Sequence, residues 1–292
     1  MKRYDILILL IVSLLIIFIP NKQHYIGDTK VIYTIFAGRD YNLDILTKYI
    51  DTLIEKGKID EVHLWDFTRK DSDGEYLKQL EKKEKYTVMN VKNKKSWSEY
   101  YNFYKDPKFS NDVIIKSDDD IMYIDVDKFE DFINERKTSD AFLLFPSIVN
   151  NGVTSFHQQQ DGLLPESVEK LEYETFMGKI VTNGKVGTKI HEYFVNNKDE
   201  FIKKARENNK IINIKSGDRT SINFFAIFGR DFNSLGEVGD DEHEITVVYP
   251  PKIGKHNKIY AGFVVVHGSF SSQTQNKDLD DKYIAKLYSQ FV

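Results

Sequence analysis

Three consecutive carboxylates, Asp118, Asp119 and Asp120, close the run "DVIIKS" and open another apolar run, "IMYI". Carboxylates about 4 Å apart repel by roughly 4 kcal/mol at an effective dielectric of 20, so either the segment is a solvated turn or something positive belongs there. Successive residues of an extended chain point to opposite faces, which puts Asp118 and Asp120 on one face and Asp119 on the other. Two such carboxylates at a strand end suit a hard divalent cation, Mg²⁺ or Mn²⁺, which takes carboxylate, water and phosphate oxygens. An EF-hand is excluded, because no glycine stands at the sixth loop position from Asp118.

A second acidic run, Asp240, Asp241 and Glu242, stands in "GDDEHE". Acids there complement the dipole of a helix start, and a carboxylate held in that way also suits general-base work. The stretch "NNGVTSFHQQQDGLLP" is rich in amides, which donate and accept at once and so suit sugar hydroxyls. Asn151, His157 and Gln159 are its candidate acceptor contacts; a plain surface loop is the alternative. His191 in "HEYFV" does not make a zinc helix, since the fifth residue of the H-E-x-x-H pattern is Val195.

The elements around these residues alternate. "KVIYTIFAGRD" reads as a strand, and Leu43, Leu46, Ile50, Leu53 and Ile54 then recur at helical spacing up to Gly57. "DEVHLWDF" is a second strand, followed by a polar turn over 71–74 and a helix in "EYLKQLEKK"; "KYTVMNV" is a third. Trp97, Tyr100, Tyr101 and Tyr104 line one helical face before "DVIIKS", the fourth strand. This order predicts βαβ units and a largely parallel sheet, with ligands at the carboxyl ends of the strands, where Gly38, Arg39, Asp66 and the Asp118 cluster fall. Farther on, "DAFLLFPSIVNNG", "SINFFAIFGRDF" and "YAGFVVVHGSF" read as strands, and "GTKIHEYFVNNKDEFIKKAREN" as a helix broken near Asn196 and Asn197.

The 292 residues carry 41 basic and 45 acidic side chains, a net charge of -4, so no basic footprint points to nucleic acid. Cysteine is absent, which excludes disulfides, thiolate metal sites and cysteine nucleophiles. After Lys2 and Arg3, the stretch from Ile6 to Ile19 is apolar except for Ser13 and is closed by Pro20. A spanning helix usually needs ~17 to 25 residues, so the length also suits a signal-peptide core, but no small-x-small cleavage site follows. The expectation is an uncleaved membrane anchor through residues 6–19, in a single-pass protein with a cytoplasmic N-terminus. The implied organisation is an anchor over 1–20, a stem over 21–30, one catalytic domain over 31–275 and a polar tail over 276–292.

"KSDDDIMYID" resembles the D-x-D segment of GT-A glycosyltransferases, whose fold is Rossmann-like α/β with a mostly parallel central sheet flanked by helices. "TIFAGRD" resembles their first strand, which implies nucleotide contacts at Ala37, Gly38 and Arg39, and "HLWDF" the second, with Asp66 in the nucleotide pocket. "INFFAIFGRDFNSLGEVGDDEHE" is similar to the segment that carries sugar contacts and the catalytic base in inverting members, which implies Asn223 for the sugar. Asp241 is the first candidate base, with Asp240 or Glu242 next. "VVVHGSF" resembles the late histidine of the metal site, so the implied ligands are Asp118, Asp120 and His267, with Asp119 a ribose or donor contact. An imidazole ligand suits Mn²⁺ better than Mg²⁺. "FAGRD", "WDFTRKD" and "NNGV" also resemble sugar transferases of large algal viruses.

The resemblance implies a metal-dependent transfer of sugar from a nucleotide-sugar donor, a UDP-sugar, to a glycan or glycoprotein acceptor. Two other readings stay open. A nucleotidyltransferase acting on sugar phosphates also uses D-x-D on a parallel sheet, although "AGRD" is sparse for its phosphate loop. A non-catalytic glycan-binding module would hold sugar without metal or nucleotide.

Overall fold

The structure, a computed structural model, describes residues 29–94, 96–275 and 278–292. The β-branched and aromatic run Val31–Ala37 forms β1, and its alternation with helix-forming segments gives α1 (Asp40–Glu55), β2 (Glu61–Asp66), α2 (Asp71–Leu80), β3 (Tyr86–Met89), α3 (Ser98–Phe103) and β4 (Val113–Asp118). Helix α1 buries Leu43, Leu46, Ile50 and Leu53 and stops at Gly57, whose φ of +66° an L side chain resists. On α3, Tyr100, Tyr101 and Tyr104 are buried against Trp65 and Phe232. Each such side chain contributes about 1.5 to 3 kcal/mol through burial.

The second half supplies β5 (Ile121–Ile124), α4 (Phe129–Thr138), β6 (Leu144–Val149), α5 (Gly152–Gln160), α6 (Gly184–Asn208), β7 (Ile211–Asn213), β8 (Phe224–Phe228), β9 (Lys258–His267) and α7 (Asp281–Tyr288). Among the described residues one sheet of nine strands runs β3-β2-β1-β4-β8-β6-β9-β5, with β7 also on β9. Strands β3, β2, β1, β4, β6 and β9 share a direction, while β8, β5 and β7 oppose it. The carboxyl ends of β1, β2, β4, β6 and β9 therefore meet the starts of β8 and β5 along one edge.

Only residues 119 and 120 separate β4 from β5, although β8, β6 and β9 lie between them in the ladder. Three Cα steps reach about 11 Å, whereas four strand spacings in a flat sheet need about 19 Å. The sheet must therefore curl until its far edge returns to β4, and this curl gathers the site.

Several expectations change. The turn expected over 71–74 is the first turn of α2, where Asp71 and Asp73 suit the dipole and buried Asp73 accepts the Asp40 amide at 3.2 Å. The amide-rich stretch, for which a surface loop was the alternative reading, forms helix α5, started by the Asn151 side chain, which caps Thr154 at 3.3 Å. The segment expected as a polar tail holds α7, capped by Asp280 and packed through Ile284, Ala285 and Tyr288. The break foreseen in α6 is present at Asn197, where φ is -126° and Nδ2 donates to the Tyr193 carbonyl at 2.8 Å. The apolar segment 6–19 lies outside the described residues. The single-pass membrane placement is corrected: no helix among the described residues is long and apolar enough to cross a membrane.

Candidate active site

Asp118 ends β4, Asp120 precedes β5, and the β5–β9 register sets Ile121 opposite His267. The curl thus brings three ligand atoms, one each from Asp118, Asp120 and His267, within 4.8 Å of one another. Asp120 and His267 are buried, and Asp120 Oδ1 has no hydrogen-bond partner although it lies 3.5 Å from His267 Nε2. An unpartnered buried carboxylate oxygen costs several kcal/mol unless a cation completes it.

The hydrogen-bond network fixes the ring. Asn151 Nδ2 donates to Asn223 Oδ1 at 3.1 Å and to the Ser221 carbonyl at 3.2 Å, so Asn223 Nδ2 is left as a donor. That nitrogen reaches Asp118 Oδ2 and His267 Nε2, both at 3.1 Å. His267 Nε2 is accordingly the bare nitrogen and Nδ1 carries the proton, donated to the Asn150 carbonyl at 3.3 Å. Asn150 turns that carbonyl inward by adopting φ +59°, a left-handed conformation that asparagine tolerates better than most residues. A bare Nε2 oriented through Nδ1 is the arrangement a metal-binding histidine needs.

The strand alternation does not extend to Asp119, which sits with Asp120 in the turn between β4 and β5 and shares Arg39 Nη2 with it. Asp119 accepts the Gly38 and Arg39 amides at 2.8 and 2.7 Å and Arg39 Nε and Nη2 at 3.1 and 2.5 Å. Burial raises its carboxyl to about 6, against the pull of Arg39. A Cβ at Gly38 would stand 3.1 Å from Asp119 Oδ2, so the close approach favours glycine. For Asp120, burial acts upward, but the charge of Arg39 and its hydrogen bond hold the carboxyl below its ordinary value.

These groups floor a cavity of about 450 Å³. Phe36, Phe67 and Trp97 wall one side, with Phe36 and Trp97 stacked at 5.4 Å, and Arg69, Ser269, Phe270 and Thr274 complete the rim. A larger groove of about 670 Å³ is lined by Tyr123, Asp125, Lys198 and Arg206 and contains none of Asp118, Asp119 and Asp120.

Of the expected nucleotide contacts, Gly38, Arg39, Asp119 and Asn223 line the cavity. Ala37 is buried in β1, where its carbonyl accepts the Phe67 amide at 2.9 Å. Asp66 is not among the lining residues: Thr68 Oγ1 at 2.6 Å and Lys94 Nζ at 2.7 Å engage it instead. Of the expected acceptor contacts, Asn151 supports Asn223 from behind. Gln159 is committed to the Glu169 carbonyl and Leu171 amide at 2.8 and 2.9 Å, and His157 packs against Phe156 and Tyr173. Neither reaches the carboxylate floor. His191 is a core histidine bonded to the Gly268 carbonyl at 2.8 Å and Tyr288 at 3.0 Å.

The second acidic run starts a short helix, Asp241–His243, with Asp240 as its cap. Arg219 pairs with Asp240 at 3.0 Å and with Glu242 at 2.6 Å. Asp241 turns inward, accepting the Tyr101 hydroxyl at 3.2 Å; burial raises its carboxyl, and the charge of Lys116 opposes that rise. Lys116 was the largest omission of the sequence reading. It is 2% exposed, bonds Asp118 Oδ1 and the Ile222 carbonyl, and sits 4.6 Å from the Phe36 ring centre. Within β4 the alternation places Lys116 on the face of Asp118, and that signal was available in "KSDDD".

No family model matches this chain, and no curated protein matches it. Among solved structures, the crystal structure of GalNAc-T7 with UDP, GalNAc and Mn²⁺ aligns with 84% of this chain and 44% of its own, at 12% identity and TM-score 0.47. A 4-diphosphocytidyl-2C-methyl-D-erythritol synthase from Anaerococcus prevotii aligns with 90% of this chain and 96% of its own, at 11% identity and TM-score 0.41. The 2-C-methyl-D-erythritol 4-phosphate cytidylyltransferase of Francisella tularensis aligns with 40% of this chain and 57% of its own, at 17% identity and TM-score 0.31. The chain thus spans under two thirds of the GalNAc-T7 and Francisella chains. No residue role is taken from likenesses this distant, and the viral resemblance finds no support in them.

Proposed function

We propose that this protein is a metal-dependent glycosyltransferase that moves a sugar from a nucleoside diphosphate donor, a UDP-sugar, to a hydroxyl of a glycan acceptor. The observation that carries the reading is the unpartnered Asp120 Oδ1 beside the bare His267 Nε2, at the floor of an aromatic-walled cavity. Asp118, Asp120 and His267 would hold the cation, and the mixed carboxylate and imidazole set suits Mn²⁺. When bound, such an ion neutralises charge on a departing diphosphate.

The chain's own groups do the rest. Trp97, Phe67 and Phe36 offer an apolar wall for the base, and Arg39 and Arg69 face the diphosphate. In the reaction the anomeric carbon–oxygen bond breaks, its electron pair leaving on the diphosphate, while the acceptor oxygen bonds the same carbon. The acceptor proton would pass to Asp241, which is outside the cavity lining but close enough to Lys116 and Asp118 to feel their charges, and whose raised carboxyl makes it a better base than an ordinary aspartate.

The test is to incubate the purified chain with Mn²⁺ and a panel of nucleotide sugars and follow free nucleotide, with and without glycans, alongside calorimetry of UDP binding. Metal-dependent UDP binding and release of UDP are expected. Absence of nucleotide binding in Mn²⁺ overturns the reading. Pyrophosphate release from a nucleoside triphosphate and a sugar phosphate would move the assignment to a nucleotidyltransferase, and saccharide binding without metal or nucleotide to a glycan-binding module.

A further inference from the structure

Three of the six exposed large apolar side chains among the described residues stand within one five-residue segment: Tyr173 at 39% exposure, Phe176 at 56% and Met177 at 51%. Single apolar residues at a surface are ordinary, whereas a cluster of them marks a place that something covers. This cluster is anchored at both aromatic rings. The Tyr173 hydroxyl donates to Asp218 at 2.7 Å, and its ring packs edge-on against Phe156 and His157. The Phe176 ring lies under the Arg219 guanidinium, 4.1 Å from ring centre to Cζ. Met177 is held at φ +49°, which an L side chain resists and which fixed neighbours must sustain.

Arg219 ties the segment to the second acidic run. Its Nε donates to Glu242 at 2.6 Å, and its two terminal nitrogens donate to the two oxygens of Asp240, both at 3.0 Å. Those acids stand on either side of Asp241, the residue that would receive the acceptor proton. The guanidinium covers one face of the Phe176 ring, and the remainder of that side chain meets solvent. A sugar ring fits such a surface. It offers a face of C–H groups to Phe176 and Met177 and a rim of hydroxyls to Asp218 and Asp240, which accept hydrogen bonds. A lipid surface or an acidic partner would need a free cation, and the one stacked on Phe176 is neutralised by Asp240 and Glu242.

We infer that Phe176, supported by Tyr173 and Met177, binds the acceptor sugar next to the one whose hydroxyl reacts, so that the acceptor is an oligosaccharide and not a single sugar. The link from Phe176 to Asp241 runs through Arg219 and Glu242 and is not direct, which suits a neighbouring unit. This rests on the proposed function and adds to it the acceptor's class and the residues that select it.

The experiment is NMR of the full chain carrying ¹³C-methyl methionine, with UDP and Mg²⁺ present. It is titrated with maltose, cellobiose, lactose and diacetylchitobiose, and separately with glucose, galactose and N-acetylglucosamine. Of the four methionines, exposed Met177 reports on the segment, and Met122, 1% exposed, is the internal control. At least one disaccharide should shift the Met177 methyl and bind ~10-fold or more tightly than its own monosaccharides. Phe176→Ala should abolish that advantage and raise the KM of that disaccharide as acceptor by ~10-fold, with kcat within about twofold, and Phe176→Trp should restore it. Silence of Met177 toward the whole panel, equal affinity for disaccharide and monosaccharide, or an unaltered Phe176→Ala overturns the inference. A shift with phosphatidylcholine–phosphatidylglycerol vesicles and none with sugars also overturns it and gives the segment to a lipid surface. Metal-dependent UDP binding that persists in those cases leaves the proposed function standing, and its absence in the wild type overturns both.

Discussion

The chain contains two runs of three acids, 118–120 and 240–242, and they are built in opposite senses. In the first, all three line the cavity, but both oxygens of the middle residue, Asp119, are taken by Arg39 and two backbone amides, while the outer pair offers the candidate metal ligands. In the second, the outer pair is committed to Arg219 and the middle residue, Asp241, turns inward to Tyr101. Backbone geometry accounts for the inversion. The strand ends at Asp118, so the first run is arranged by the turn over 119 and 120 that leads into β5, whereas a helix start leaves its cap and first turn at the surface and directs one residue inward. Three like charges in a row identify neither the functional residue nor its task; the position of the neighbouring cation does.

The largest expected effect tests the first run. Asp120→Ala removes the one carboxylate oxygen of this run that lacks a partner, and Mn²⁺-dependent UDP binding should weaken by more than ~100-fold in calorimetry. Unchanged binding would show that Asp120 is merely the counter-charge of Arg39, as Asp119 is. Next in size, Asp241→Asn should leave UDP binding within about twofold while kcat falls by ~10² to 10⁴, the usual share of a general base. Loss of binding in that variant would merge the two runs into one metal-holding group and end the contrast.

Much of this was legible in the sequence, but unevenly. The parallel half, β1 to β4, could be read because its strands alternate with helices of clear period, and Lys116 and Asp118 share a face within β4 itself. The return of β5 and β9 to β4 could not, since it depends on strand order across the sheet. The His267 placement came through resemblance and not through pattern. That Lys94 engages Asp66 and the 169–171 backbone engages Gln159 could not be read, because these partners are set by loop paths that periodicity does not encode. Helix α7 was missed because its eight residues carry an apolar face too short to stand out from a polar segment.

A smaller effect probes the outer pair of the second run. Arg219→Gln releases Asp240, which is 54% exposed, and Glu242, which is 22% exposed. Solvent screens much of such a pair, so the loss should be about 1 kcal/mol, a fall in Tm of about 2 to 4 °C for a domain of this size. UDP binding should be unchanged, since Arg219 touches nothing on the cavity floor. A collapse of UDP binding in a folded variant would place Arg219 in the donor site and remove the distinction between committed and free carboxylates.

The finest test concerns the Tyr101 hydroxyl. Burial keeps Tyr101 protonated far above its ordinary range, so it donates to Asp241 at every accessible pH. A donated hydrogen bond favours the ionised carboxylate, and Tyr101→Phe removes it without changing ring packing. The sign follows directly. Asp241 already titrates above an ordinary aspartate because it is buried, and losing the donor raises it further. A base must be ionised to act, so activity is lost as pH falls through that value, and the acid limb of the kcat profile should move to higher pH in Tyr101→Phe. The alkaline plateau should stay within about twofold, because a neutral hydrogen bond of ~0.5 to 1.5 kcal/mol acts here on the protonation equilibrium and not on the ionised base. An acid limb that does not move, with UDP turnover otherwise intact, would take the base assignment away from Asp241 and pass it to Glu242, whose own limb should instead answer to Arg219→Gln.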